Sequence, residues 1–275
     1  MTFNYQQYLR NDNLPHIWCP GCSHGIVTKG ILRAVDSLGW QKDDMCFVSG
    51  IGCASRLPGY IDANTLHTTH GRALAFATGV KMVKSNMHVV IVSGDGDSLA
   101  IGGNHFLHSC RRNIDMTLII FNNNIYGMTG GQTSPTTPFG ATTTTQPYGN
   151  IENSIDAVNL AMAAGATFVA RTTAYHVTQM DKIFAQALAH KGFSVVDVMC
   201  DCWTAYGRRN SFKSQVDMLE RYKDNTVRLE KWNKMSEEER AGKTPIGVFL
   251  DVQRPEYCEE QHKVIERAMS APSEH

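Results

Sequence analysis

Two neighbouring segments of the chain end in side chains that could hold a magnesium ion against a diphosphate. Residues 88–93 and 116–121 are short apolar runs of the kind found in buried parallel strands. The first run is followed by Gly94, Asp95, Gly96 and Asp97, and the second by Asn122 and Asn123. Glycine lets the backbone approach a pyrophosphate closely, whereas an aspartate beside a phosphate needs a cation such as Mg²⁺ between them. Adjacent parallel strands would bring Asp95 and Asn123 together at one sheet edge.

Other interpretations of these residues exist. Taken separately, a Gly-Asp repeat is more often a turn than a binding site, and a pair of asparagines commonly caps a loop. A nicotinamide-binding site is disfavoured because its fingerprint is GxGxxG without an aspartate facing the phosphates. The 25 residues between Gly96 and Asn122, together with the strand before each motif, favour the magnesium and diphosphate interpretation.

Several of the eight cysteines form a second group of candidate ligands. A CxxC pair, Cys19 and Cys22, lies near the N-terminus, and single cysteines follow predicted strands at Cys53, Cys200 and Cys202. Four thiolates from separate loops suit a [4Fe–4S] cluster. A thioredoxin-type dithiol is disfavoured because no apolar strand precedes the CxxC pair, and a zinc finger because no second CxxC or HxxxH pair is present. A purely structural role for these cysteines stays open.

These candidate ligands need a scaffold that places strand ends side by side. Further strands are predicted at residues 45–50 and 193–199, and helices at residues 22–38, 72–83, 98–113, 153–164 and 177–190. This alternation predicts an α/β fold with a doubly wound, mostly parallel sheet that binds ligands at the carboxyl ends of its strands. Cys46 and Cys110 fall on predicted apolar faces and are assigned to packing, whereas Cys258, in a charged segment, is expected to take no part in the chemistry.

Composition divides the chain into regions. Residues 116–151 contain no charged side chain, and their Gly-, Thr- and Pro-rich second half indicates a functional or disordered loop. Residues 212–275 hold almost half of the charged side chains, so we expect a helical appendage there beside an α/β domain of residues 1–211. Basic and acidic residues balance at 26 each, which disfavours a nucleic-acid partner. Without a long apolar run or a signal-like N-terminus, the chain is expected to be cytoplasmic, with no membrane contact.

Six motifs, taken in order, resemble those of the β subunit of the 2-oxoacid:ferredoxin oxidoreductases, and most of all the 2-oxoglutarate branch of that family. They are HIWCPGC, VSGIGCASR, HTTHGRALAFATG, VSGDGDSLAIGGNH, NNNIYGMTGGQTSPTT and KGFSVVDVMCDC. The match extends over about three quarters of the chain, from Asn4 to about Asn210. The resemblance implies a thiamine diphosphate-binding fold. It also implies thiamine diphosphate, Mg²⁺ and a [4Fe–4S] cluster as cofactors, and coenzyme A as a co-substrate.

The resemblance also implies roles for individual residues. The implied cluster ligands are Cys19, Cys22, Cys53 and Cys202, and the implied magnesium ligands are Asp95, Asn123 and, through its carbonyl oxygen, Ile125. The wider cofactor-binding set comprises Cys53, His70, Gly71, Gly94, Asp95, Gly96, Asp97, Asn123, Ile125, Tyr126, Gly127, Met128 and Thr129. Cys200 lies two residues from Cys202 and could replace it as a cluster ligand. His70 and Arg72 are the implied catalytic residues, and helix capping is the alternative role for His70.

By the same resemblance, the chain is expected to be the β subunit of an enzyme that oxidatively decarboxylates 2-oxoglutarate with coenzyme A. The products would be succinyl-CoA and CO₂, the electrons would pass through the cluster to ferredoxin, and the reverse reaction would fix CO₂. A catalytic glutamate would come from the α subunit of an α2β2 heterotetramer, which the uncharged loop would face, so the chain alone should be inactive. The alternatives are pyruvate or another 2-oxoacid as the substrate, a non-catalytic electron-transfer subunit, or a thiol–disulfide protein.

Overall fold

A sheet of eight strands forms the framework of residues 3–270, the part of the chain that the computed structural model describes. The strands are β1 (Met45–Ser49), β2 (Asn64–His67), β3 (His88–Gly94), β4 (Met116–Asn122), β5 (Ile125–Tyr126), β6 (Gln132–Thr133), β7 (Phe168–Thr173), β8 (Phe193–Met199), β9 (Thr226–Arg228) and β10 (Thr244–Asp251). The strand order in the sheet is β2-β1-β3-β4-β8-β7-β10-β9, with β5 and β6 paired separately as a hairpin. Every neighbouring pair of the large sheet is parallel except β7 with β10.

Helices cover both faces of this sheet. They are α1 (His24–Leu38), α2 (Ala73–Val83), α3 (Gly103–Arg112), α4 (Ala157–Ala164), α5 (Val177–Ala189), α6 (Gln215–Asn225), α7 (Leu229–Trp232), α8 (Glu237–Arg240) and α9 (Tyr257–Ser270). Because successive strand residues point to opposite faces, Val90 of β3 joins a core with α1 and α5, whereas Val89 joins a second core with α2, α3 and α4. The predicted doubly wound, mostly parallel α/β fold is confirmed. No helix within residues 3–270 is long and apolar enough to span a membrane.

The helix predicted for residues 98–113 is divided in two. Gly96–Ile101 form a turn of π-helix, and α3 begins only at Gly103. A Cβ atom at Gly102 would lie 2.3 Å from the carbonyl oxygen of Asp97, so the wide turn can pass into α3 only through a glycine. Single π-helical turns frequently lie at functional sites, and this one carries Asp97 at the edge of the sheet.

The C-terminal part of the chain is not the purely helical appendage that its charge predicted. β10 pairs antiparallel with β7, and β9 pairs with β10, so two strands of this part extend the main sheet. Glu256, just before α9, is buried and accepts hydrogen bonds from the backbone N–H groups of Asp115 and Cys258. These contacts attach α9 to the core, and the Cys258 side chain is itself buried there. A domain boundary between residues 211 and 212 stays a prediction.

Candidate active site

The carboxyl ends of β2, β1, β3 and β4 lie side by side, and the loops that follow them line an open cleft. The predicted cofactor-binding residues that line it are Cys53, His70, Gly94, Asp95, Gly96, Asp97, Asn123, Ile125, Tyr126, Gly127, Met128 and Thr129. Gly71, the remaining member of that set, lies beside the cleft and donates its backbone N–H to Asp97. Residues from separate sequence motifs therefore meet at one edge of the sheet.

Arg72 is the one predicted site residue of this region whose side chain binds elsewhere. Its guanidinium donates to the carbonyl oxygens of Gly71 and Ile101. Arg72 also occupies the position immediately before α2, so these contacts tie the start of that helix to the π-helical turn. A catalytic role for Arg72 stays a prediction. In the structure, its side chain joins the segment before α2 to the π-helical turn.

Asp95 is a buried carboxylate in the cleft, only 3% exposed. Its Oδ2 atom accepts hydrogen bonds from the hydroxyl groups of Ser134, at 2.6 Å, and Thr136. Burial raises the pKa of Asp95 to about 6, because the charged form loses its water. Asn123 lines the same cleft, and its amide oxygen lies 3.3 Å from the backbone nitrogen of Ile125. A carboxylate, an amide oxygen and a backbone carbonyl are hard donors, which fit Mg²⁺.

Asp97 is buried equally deeply, but protein donors surround its carboxylate. Its Oδ1 atom accepts from His70 Nδ1 at 2.6 Å and from the Gly71 N–H at 2.7 Å, with the Ile51 N–H more distant at 3.3 Å. Its Oδ2 atom accepts from the Ser93 hydroxyl. These bonds fasten three loops to one another, and they direct His70 so that Nε2, the other ring nitrogen, is available to the cleft.

Two glycines keep space open along the cleft. A Cβ atom at Gly96 would lie 2.2 Å from the ring of Tyr126, whose hydroxyl group donates to the Gly96 carbonyl oxygen. A Cβ atom at Gly127 would lie 3.3 Å from the sulfur of Cys202 and 3.7 Å from that of Cys53. Gly127 therefore stands between the cleft and two of the thiols, where a larger residue would crowd them.

A second cavity adjoins the cleft. All four predicted cluster ligands line it: Cys19, Cys22, Cys53 and Cys202. Cys200 does not line this cavity. Its side chain is 1% exposed in the core with α1 and α5, and its thiol lies 3.2 Å from the carbonyl oxygen of Val198. The structure thus directs Cys202 to the cavity and Cys200 into the core.

The donor set of this cavity, four thiols, fits an iron–sulfur cluster. Within residues 3–270 no three His, Cys, Asp or Glu side chains converge closely enough to hold one metal ion. Thiolates that bind a cube of iron and sulfur atoms stand around it and do not meet at one point. Burial, and after it the neighbouring thiols, raises the pKa of Cys22 to about 12 and that of Cys53 to about 11. Such thiols ionise when a metal binds them.

Four residues line both the cleft and the cavity: His24, Cys53, Asn123 and Met128. His24 is completely buried, and its Nδ1 atom lies 3.1 Å from the sulfur of Cys22. Burial lowers the pKa of His24 to about 4, which favours the neutral imidazole. The two spaces therefore have a common boundary made of side chains.

Three residues of this region, His24, Ser134 and Thr136, were not identified from the sequence. His24 lies two residues after Cys22, the last residue of the CxxC motif, but its position in a predicted helix suggested only a structural role. Ser134 and Thr136 lie in the uncharged loop, where the abundance of hydroxyl groups was the available signal. Their contact with Asp95 crosses about 40 residues of chain, so no local pattern could identify it.

Comparison with known proteins gives a consistent assignment. Residues 50–198 match the model of the thiamine pyrophosphate enzyme family, C-terminal TPP binding domain. The chain is 52% identical over 264 residues to the 2-oxoglutarate synthase subunit KorB of Methanocaldococcus jannaschii, covering 96% of this chain and 98% of that protein. It is 42% identical over 189 residues to the 2-oxoacid:ferredoxin oxidoreductase subunit beta of Saccharolobus solfataricus, covering 68% of this chain and 62% of that one.

A solved structure is similar over nearly the whole chain. It is the 2-oxoglutarate:ferredoxin oxidoreductase from Magnetococcus marinus with 2-oxoglutarate, coenzyme A and succinyl-CoA bound. The TM-score is 0.87 at 32% sequence identity, and the match covers 99% of this chain and 93% of that one.

Proposed function

This chain belongs to the family of KorB subunits of 2-oxoglutarate synthase, and we therefore propose that it is the β subunit of a thiamine diphosphate-dependent oxidoreductase. The reaction is the reversible oxidative decarboxylation of 2-oxoglutarate with coenzyme A, which yields succinyl-CoA and CO₂ and delivers electrons to ferredoxin. One observation carries the proposal: a cleft with hard oxygen donors and a cavity with four thiols lie side by side and share lining residues.

Each part of the cleft has a defined task in this reaction. When bound, thiamine diphosphate supplies the nucleophilic carbon at which a 2-oxoacid loses CO₂. Asp95, the Asn123 side chain and the Ile125 carbonyl oxygen would hold Mg²⁺ and, through it, the diphosphate. Asp97 orients His70 through a 2.6 Å bond to Nδ1. The other ring nitrogen, Nε2, would then be able to exchange a proton with a group bound in the cleft.

The second cavity provides the route for electrons. Cys19, Cys22, Cys53 and Cys202 would ligate a [4Fe–4S] cluster there. Cys53 also lines the cleft, so it belongs to both spaces. A cluster held by these thiols would take electrons, one at a time, from the substrate that is being oxidised and pass them to ferredoxin.

A second subunit completes the active site. Within residues 3–270 the lining of the cleft contains no glutamate, whereas the family resemblance implies a catalytic glutamate that comes from the α subunit. The uncharged loop exposes three large apolar side chains, Phe139, Tyr148 and Ile151, and exposed apolar groups of this kind favour protein contact. We propose that this loop faces the α subunit in an α2β2 assembly. The expected cytoplasmic location stays a prediction.

The proposal is tested on the complex of this chain with its α subunit, purified without oxygen. We expect a brown protein that contains iron and reduces ferredoxin when 2-oxoglutarate, coenzyme A and thiamine diphosphate are all present. The chain purified alone should show no such activity. A colourless, iron-free complex, or ferredoxin reduction that does not depend on thiamine diphosphate, would contradict the proposal.

The same assay separates the substrate alternatives. The similarity to a protein named only as a 2-oxoacid:ferredoxin oxidoreductase supports pyruvate or another 2-oxoacid as the second candidate. A kcat/KM higher for pyruvate than for 2-oxoglutarate would favour that alternative.

A further inference from the structure

Helix α6 lies against two of the three loops that carry the predicted cluster thiols, although it follows the last of the six family motifs. Near its C-terminal end, the Tyr222 hydroxyl group donates a 2.7 Å hydrogen bond to the carbonyl oxygen of Cys200. At its N-terminal end, the Gln215 side chain occupies the space beside Gly21 of the CxxC loop. A Cβ atom at Gly21 would lie 2.2 Å from the Gln215 side-chain amide carbon.

The direction of the Tyr222 hydrogen bond is set by its surroundings. Tyr222 is only 2% exposed. An N–H group of Arg221 donates to the Tyr222 hydroxyl oxygen at 3.1 Å, and the guanidinium lies over the rings of Phe212 and Tyr222. Because a guanidinium donates and cannot accept, the hydroxyl proton is directed to the Cys200 carbonyl oxygen.

Ser23 joins the same two loops from the other side. It is buried, and its Oγ atom accepts a 2.7 Å hydrogen bond from the backbone N–H of Asp201. Ser23 immediately follows Cys22, and Asp201 immediately precedes Cys202. One buried hydrogen bond therefore fixes the spacing between two of the thiol-bearing segments.

We propose that Tyr222 and Ser23 are positioning residues for the cluster: they hold the backbone of residues 200 and 201 so that the Cys202 thiol is directed into the cavity. The inference rests on the proposed function, since it presupposes a cluster. Without the Tyr222 hydroxyl group, the Cys200 carbonyl oxygen loses a buried partner and the loop can shift. A shifted Cys202 thiolate would release iron more easily.

The test compares three variants of the complex with its α subunit: Tyr222→Phe, Ser23→Ala and the control Tyr8→Phe. Tyr8 is also a buried tyrosine whose hydroxyl group donates a 2.7 Å bond, in this case to Asp36 near the end of α1. Iron–sulfur absorbance is followed during incubation with an iron chelator, and the thermal midpoint of each variant is recorded. We expect Tyr222→Phe and Ser23→Ala to lose absorbance about tenfold faster than the unsubstituted complex, and Tyr8→Phe to match that complex.

A second readout does not depend on the loaded enzyme. In the iron-free chain, the alkylation rate of Cys202, measured by mass spectrometry, should rise in Tyr222→Phe and stay unchanged in Tyr8→Phe. Equal absorbance loss in Tyr222→Phe and Tyr8→Phe would overturn the inference while the cluster itself stands. Absence of iron from the unsubstituted complex would overturn the proposed function instead. If Tyr222→Phe does not fold, Ser23→Ala carries the test, and loss at the control rate overturns the inference.

Discussion

The cleft and the second cavity lie at the same sheet edge, yet their donor groups differ in kind. In the cleft, the buried carboxylates receive protein partners, two hydroxyl groups on Asp95 and a set of N–H and O–H donors on Asp97. In the cavity, burial raises the pKa of Cys22 and Cys53. Hard oxygen donors select Mg²⁺ and soft thiolates select iron–sulfur clusters. If the proposed cofactors bind, this difference in donor type would let one sheet edge hold Mg²⁺ and an iron–sulfur cluster without exchange of their metals.

The sharpest separation of the two sites is expected from Cys202→Ser. A serine keeps the shape of the side chain but is a poor ligand for iron, so the cluster should be lost or incomplete. We expect iron per chain to fall clearly below the roughly four atoms of a complete cluster, and ferredoxin reduction to be abolished. Thiamine diphosphate binding, measured by calorimetry, should stay near that of the unsubstituted complex. Loss of both functions together would show that the two sites are not separable.

The reciprocal variant is Asp95→Asn. The amide keeps one oxygen but removes the negative charge that Mg²⁺ needs, so we expect activity to fall about 100-fold or more. Iron content and cluster absorbance should be unchanged. The control is Asp43→Asn, at an exposed position, which should leave both properties intact. Unchanged activity in Asp95→Asn would favour the non-catalytic electron-transfer subunit.

Sequence analysis predicts most of the site residues that lie just after a strand. Asp95 and Asn123 were identified because each directly follows an apolar run, and the parallel sheet brings such positions together. The family resemblance favours Cys202 as the fourth cluster ligand, but Cys200 lies only two residues away, so the sequence alone leaves it as a possible replacement. The structure separates them by direction, since one side chain enters the core and the other the cavity.

What the sequence could not predict depends on contacts through space. The strand β10 lies in a charged segment and contains Pro245 and Gly247, both of which weaken a strand pattern. It forms because β7 offers an edge for antiparallel pairing. Ser134 and Tyr222 likewise acquire their roles only from loops distant in the chain, so the residues around them carry no motif.

Asp97→Asn should produce a smaller effect that combines stability and activity. One carboxylate oxygen of Asp97 accepts bonds from His70 and Gly71 and the other accepts a bond from Ser93, whereas an asparagine side chain has only one accepting oxygen. We expect a loss of about 2 kcal/mol in the free energy of unfolding. Because a neutral amide oxygen binds His70 Nδ1 more weakly than a carboxylate oxygen does, His70 should be held less firmly, and kcat should fall about tenfold with little change in KM. A matched His70→Gln variant with the same kcat would support the view that Asp97 acts through His70.

The smallest effect is expected from Cys200→Ser, which sharpens the assignment of the fourth cluster ligand. Serine is nearly isosteric with cysteine, and its hydroxyl group can still donate to the Val198 carbonyl oxygen that the thiol now contacts. The hydroxyl group is more costly to bury in the core with α1 and α5, so the free energy of unfolding should fall by about 1 kcal/mol in urea titrations. Iron content and ferredoxin reduction should not change. If Cys200→Ser loses iron as Cys202→Ser does, Cys200 takes part in holding the cluster, and the direction of its side chain in the core must change when iron binds.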